Sequence, residues 1–273
     1  MRWENLTSDR FAEAVEEVKG VCLVALSVVE RHGHHLPMGT DTYIGRAVVD
    51  RAAALEPAIV FPDYVFTQIP EARHLAGTIA IDGELMIKLL DNVCREIARN
   101  GLKKVVLVSA HGGNRGLVSL FLMLQLYQPR DYVVYVVETR PGGAPQPEVP
   151  WPAEKDGHAG PGETSMVLAV RPDLVRMDLV PKGDEGAALG RLDDLRRLGV
   201  TPGIWWYADH PTHYAGDASF GTAEAGARLI QARAEAVAAA VRAIKADDVA
   251  PRLQAAFYAD SARPTNGQGL RET

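Results

Sequence analysis

The chain alternates short, almost wholly apolar runs with longer stretches of helical periodicity. Residues 21–29 (VCLVALSVV) are apolar but for one serine, as in a strand buried on both faces. Residues 104–109 (KVVLVS) repeat the pattern, and 58–61 form a shorter candidate strand. Residues 132–137 (YVVYVV) alternate too little for an edge strand and read as a third central one. Ser8 reads as the cap of a helix running to Val18 and closed by Gly20. Residues 42–55 are Ala/Val-rich and helical, stopping before Pro57. Asp82 caps an amphipathic helix over 83–100, with Gly101 at its end. Further helices are predicted over 117–127, 163–170, 187–198 and 222–246. The order strand, helix, strand, helix, strand predicts an α/β fold with a mostly parallel sheet flanked by helices. Residues 141–162 are Pro/Gly-rich and read as a long functional loop, and 199–221 as irregular, where Trp205-Trp206-Tyr207, His210 and His213 are open to covering the pocket or filling a subunit interface but stay outside the site because packing is the more frequent role. With no repeat and no linker, one domain over 1–258 and a polar tail over 259–273 are expected.

Charge and cysteine usage narrow the partners. A net charge of -6 without a basic block argues against nucleic acid and anionic membranes. No apolar run reaches the ~20 residues of a membrane span, and the N-terminus lacks the apolar core of a signal peptide. Cys22 and Cys94 fall in apolar patterns and read as buried thiols, which fits a reducing cytoplasm.

The candidate chemistry lies in three clusters. The first, Glu30-Arg-His32-Gly-His34-His35-Leu-Pro-Met-Gly-Thr-Asp41, follows the first apolar run directly. Glu30 and His32 are two apart, so at an extended strand end they point the same way, and Pro37 and Gly39 turn the chain so that Asp41 can return. Ionisable groups so placed are expensive to bury unless paired or metal-bound. The second, Ser109-Ala-His111-Gly-Gly-Asn114, follows another strand, and in open α/β sheets ligands sit beyond the carboxyl ends of the strands. The third, Asp156-Gly-His158-Ala-Gly-Pro-Gly-Glu163-Thr-Ser165, offers a histidine in a glycine-rich loop and a carboxylate at a helix start. Glu30, His32, Asp41, His111 and Glu163 together suffice for two metals sharing one carboxylate. No P-loop, dinucleotide fingerprint or nucleophile elbow is present.

These three motifs, in this order, resemble the creatininase (creatinine amidohydrolase) family, with weaker matches at Gly77-Thr78 and from Gly216-Asp217 to Gly226. The resemblance runs from about residue 20 to 245. It implies a three-layer α/β fold, a dinuclear site of Zn, Mn or Fe, and a homohexamer. It further implies Glu30, His32, Asp41 and His111 as metal ligands with Asp41 as the bridge, and His158 as the catalytic acid/base. Creatininase proper has a Glu two residues after the strand-end His, where this chain has Gly113, and Glu163 is the candidate replacement. Arg31, His34, Ala72 and Glu154 also replace residues usual in the family. A retained metal shell with a changed pocket implies a substrate other than creatinine.

The leading expectation is therefore metal-dependent hydrolysis of a small polar, cyclic substrate at an amide C–N bond, with Arg31, His34, Arg73 and His74 as substrate-binding candidates. Carbon–carbon ring opening of a diketo cyclitol, as by the family's 3-dehydro-scyllo-inosose hydrolases, is the alternative. Formamide or peptide hydrolysis in cofactor biosynthesis is a second. A non-enzymatic metal-binding role would leave His158 and its loop without a task.

Overall fold

A computed structural model describes residues 1–138, 147–264 and 266–267. Parallel strands β1 (Val21–Leu26), β2 (Ile59–Val60), β3 (Lys104–Ser109) and β4 (Val133–Val137) form a sheet in the order β2-β1-β3-β4. Period-two alternation splits each central strand between two cores. Val21, Leu23, Val106 and Val108 face one cluster, while Cys22, Val24, Leu26, Val105 and Leu107 face the other. The first cluster is completed by α2 (Thr40–Leu55), α5 (Pro161–Val170) and α8 (Ala223–Ala246). The second is completed by α1 (Ser8–Glu17), α3 (Gly83–Arg99) and α4 (Asn114–Leu124). The result is the expected three-layer α/β arrangement.

Helices α5 and α8 cross backbone to backbone. A Cβ on Gly226 would stand only 1.8 Å from the Ser165 carbonyl oxygen, so glycine is required there.

Several expected elements change. Among the described residues β4 is the sheet's edge strand, not a central one. Its apolar character reflects burial on both faces, with Val137 in the first cluster and Val134 in the second, while α9 (Val249–Ser261), an unexpected helix, lies beside it with Gln254 donating to the Tyr132 carbonyl at 2.8 Å. The expected domain end at 258 falls inside that helix. β1 leaves the ladder at Leu26, and Ser27 N–H turns to the Tyr64 carbonyl. Thr7, not Ser8, stands at the cap of α1. The helix expected over 187–198 shrinks to α6 (Asp193–Arg197), because Gly190 takes a left-handed φ of 65° and the Arg191 guanidinium is spent on the Tyr207 and Ala208 carbonyls. A short α7 (Trp205–Asp209) appears where no helix was expected. Of the expected loop over 141–162 and the expected polar tail, residues 141–146, 265 and 268–273 lie outside the described residues. Cys22 and Cys94 are buried free thiols, and among the described residues no helix is long and apolar enough to cross a membrane.

Candidate metal centre

Parallel pairing of β1 with β3 sets the site. Leu26 registers with Ser109, so the segments that follow the two strands leave the same edge of the sheet. One brings Glu30 and His32, the other His111. The loop after Glu30 doubles back, with Glu30 N–H bonded to the Met38 carbonyl at 3.1 Å, and delivers Asp41 in the first turn of α2. Glu163 sits in the first turn of α5, where its Oε2 accepts from Ala159 N–H at 2.7 Å. Thr164 beside it bonds His35 Nε2 at 3.0 Å and ties α5 to the Glu30–Asp41 loop.

All five expected ligands converge. His111 Nδ1 lies 2.8 Å from Glu30 Oε1 and 3.2 Å from Asp41 Oδ2. His32 Nε2 lies 3.6 Å from Asp41 Oδ1 and 3.6 Å from Glu163 Oε2. Two triads result, Glu30–Asp41–His111 and His32–Asp41–Glu163, each with ligand atoms within 4.8 Å of one another. They share Asp41, and each of its oxygens faces a different imidazole. A further triad, Glu30–His32–His158, gathers alongside.

Electrostatics and orphaned atoms agree that a cation suits the place. Glu30 Oε1, His32 Nε2 and Asp41 Oδ2 are buried and make no well-formed hydrogen bond. Buried polar atoms are seldom left so, and a divalent ion satisfies carboxylate and imidazole lone pairs together. Burial would lower the His32 pKa, but Asp41, Glu30 and Glu163 push it up to about 10. His111 is likewise raised, against burial, by Glu30 and Asp41. Glu163 is raised to about 7 by burial and by the Asp41 and Glu30 carboxylates. Burial would raise Glu30 too, yet the surrounding imidazoles hold it well below the usual carboxylate range.

His158 adjoins the same centre. Its Nε2 donates to the Arg31 carbonyl at 2.9 Å, and its ring centroid stands 4.3 Å from that of His32. Burial and the neighbouring His32 imidazolium keep it neutral, well below the ordinary histidine value. A cavity of about 740 Å³ opens from Glu30, His111, His158 and Glu163 toward Glu71, Trp151, Asp156 and Trp206.

The four expected substrate contacts do not line that cavity. Glu30 and His32 point to the centre, so Arg31 between them points away, and its guanidinium pairs with His34 Nε2 at 2.6 Å. Arg73 and His74 are exposed, with His74 Nε2 bonded to the Pro211 carbonyl at 2.7 Å. Three side chains left outside the site on sequence grounds line the cavity. These are Trp205, Trp206 and His213, and His213 Nε2 reaches Glu30 Oε2 at 2.5 Å. The only signal was a histidine in an irregular aromatic stretch.

The family model described as "Creatininase: Creatinine amidohydrolase" matches residues 4–241. The chain is 31% identical over 182 residues to the creatinine amidohydrolase of Pseudomonas putida, spanning 59% of this chain and 69% of that protein. It is 31% identical over 220 residues to the mycofactocin precursor peptide peptidase of Mycobacterium tuberculosis, spanning 77% of this chain and 80% of that one. A solved structure described as "Creatininase Mn" superposes with a TM-score of 0.69 at 23% identity, covering 88% of this chain and 97% of that one. With that match over nearly its whole length and a fold in common, the chain belongs to the creatininase family of metal-dependent amidohydrolases.

Proposed function

We propose that this protein hydrolyses an amide C–N bond of a polar substrate larger than creatinine, using two divalent ions held around Asp41. The observation that carries the reading is the shared carboxylate: Asp41 belongs to both the Glu30–Asp41–His111 and the His32–Asp41–Glu163 triads. Glu163 supplies the carboxylate that Gly113 does not. Zn, Mn and Fe all suit such a mixed oxygen and nitrogen shell. Bound there, the ions would polarise a carbonyl and make water acidic enough to ionise near neutral pH.

The rest of the chemistry falls to side chains. Donation from His158 Nε2 to the Arg31 carbonyl fixes the tautomer and leaves Nδ1 to accept a proton and hand it on. An amide nitrogen departs well only when protonated, which gives His158 its task as general acid. Trp151 and Trp206 offer apolar walls, while Glu71 and Asp156 offer acceptors for donor groups of the substrate. A cavity of about 740 Å³ favours a substrate larger than creatinine. The mycobacterial relative is named as a peptidase, which adds peptide amides to the candidates. A single domain that takes in α9, a cytoplasmic setting and a homohexamer complete the reading. Exposed Leu120, Met123 and Tyr127, along one face of α4 and the turn after it, support cover by another copy.

The test is turnover of metal-loaded protein on creatinine, cyclic amides, formamides, short peptides and diketo cyclitols. Amine or carboxylate release from an amide at a rate above that on creatinine is expected. Ring opening of the diketo cyclitol alone would overturn the amide reading in favour of carbon–carbon hydrolysis.

A further inference from the structure

The carboxylate of Glu30 is divided between two tasks. Its Oε1 faces His111 and His32, whereas Oε2 meets His213 Nε2 at 2.5 Å and stands 3.9 Å from His158 Nε2. On the far side of the imidazole, Trp206 Nε1–H reaches His213 Nδ1 at 2.7 Å. An indole nitrogen can only donate, so Nδ1 of His213 must accept. The remaining proton of the neutral ring then sits on Nε2, pointing at the carboxylate. Both ring nitrogens are thereby committed, Nδ1 as acceptor and Nε2 as donor, so His213 is placed to hold Glu30 rather than to ligate a cation. His158, a ring neighbour with centroids 4.2 Å apart, differs in keeping one nitrogen uncommitted.

The backbone reinforces this arrangement. His213 has φ 56°, a left-handed conformation that non-glycine residues keep only where surroundings over-determine it. Its N–H is bonded to the His210 carbonyl at 2.9 Å, in the turn directly after α7. Trp206 and His213 are therefore presented together by one short segment, and His213 is 2% exposed. Glu30, wholly buried and negatively charged, needs such a donor to hold one oxygen still.

We propose that Trp206 and His213 form a positioning relay. Trp206 locks His213 as the Nε2–H tautomer, and His213 holds Glu30 Oε2 so that Oε1 stays turned toward the cation-binding triads. The role rests on the metal-centre reading above. Partners of this kind typically change metal affinity by about 10–100-fold.

The experiment measures Zn²⁺ and Mn²⁺ affinity by chelator competition, with metal content per chain, on full-length protein. H213A should weaken binding by about 10–100-fold. H213Q, which can place an amide N–H toward Glu30, should restore most of it. W206F, which removes the indole N–H along with part of the ring, should weaken binding in the wild-type background but add nothing to H213Q. Wild-type affinity in H213A, or an equal W206F effect in both backgrounds, would overturn the relay. Should H213A fail to fold, H213Q against the W206F/H213Q double variant decides the same point. Wild-type protein that binds no divalent ion would instead overturn the metal-centre reading, and the relay with it.

Discussion

His32 Nε2 lies 3.6 Å from Asp41 Oδ1, with both side chains closed off from water. Without a cation the contact is an ion pair, because the His32 imidazole holds its proton to about pH 10. A metal ion must displace that proton, and the proton on His111, to reach the same lone pairs. Affinity should therefore rise with pH across the neutral range, by up to about tenfold per unit for each proton released. Calorimetry of Zn²⁺ binding in two buffers of different ionisation enthalpy measures the count, expected to be at least one proton per ion pair bound. The sign for the metal-free fold is opposite. A histidine raised from 6.5 to about 10 adds stability fully present below its ordinary pKa and lost as pH climbs through the higher value. Metal-free protein should thus melt earlier as pH rises from 7 to 10.

The shared carboxylate and the terminal one should behave differently on removal. D41N takes a ligand from both triads and should reduce bound metal from about two ions per chain to well below one. E163Q takes a ligand from one triad only and should leave about one ion bound. Elemental analysis of both variants checks the assignment. Equal losses would count against Asp41 as the bridge.

His158 should be dispensable for binding but not for turnover. H158A is expected to lower kcat by about 10²–10⁴-fold while metal content holds. If metal is lost with it, the Glu30–His32–His158 triad is the true ligand set and the proton carrier lies elsewhere.

Gly226 should matter to the site although it lies outside it. G226A would force the α8 backbone off Ser165, two residues after Glu163. A loss of roughly 1–3 kcal/mol in unfolding free energy is expected. Displacement of α5 should also weaken metal binding. Thermal melts with and without Zn²⁺ measure both effects: the metal-induced rise in Tm should be smaller in G226A than in the wild type.

Much of this was legible along the chain because the signals were local. The apolar runs that became β1 and β3 needed no tertiary information, since strands buried on both faces are apolar throughout. Glu30, His32, Asp41, His111, His158 and Glu163 could be named because each sits in a compact motif at the end of a strand or the start of a helix. What distant segments do to one another was not legible. β4 has the composition of a central strand, yet α9 rather than a neighbouring strand covers part of it. Arg31 shares a motif with two ligands, but side-chain alternation sends its guanidinium to His34 and leaves only its carbonyl at the centre.

Sequence alone determined the layered α/β class and named the side chains that gather at one edge of the sheet, because periodicity and motif spacing are written in neighbouring residues. Tertiary structure alone decided which carboxylate oxygen meets which imidazole, that Glu163 closes the second triad, and that His213 reaches Glu30 across 183 positions. The reason is physical: a lone pair is directional over about 3 Å, and only folding brings distant segments within that range.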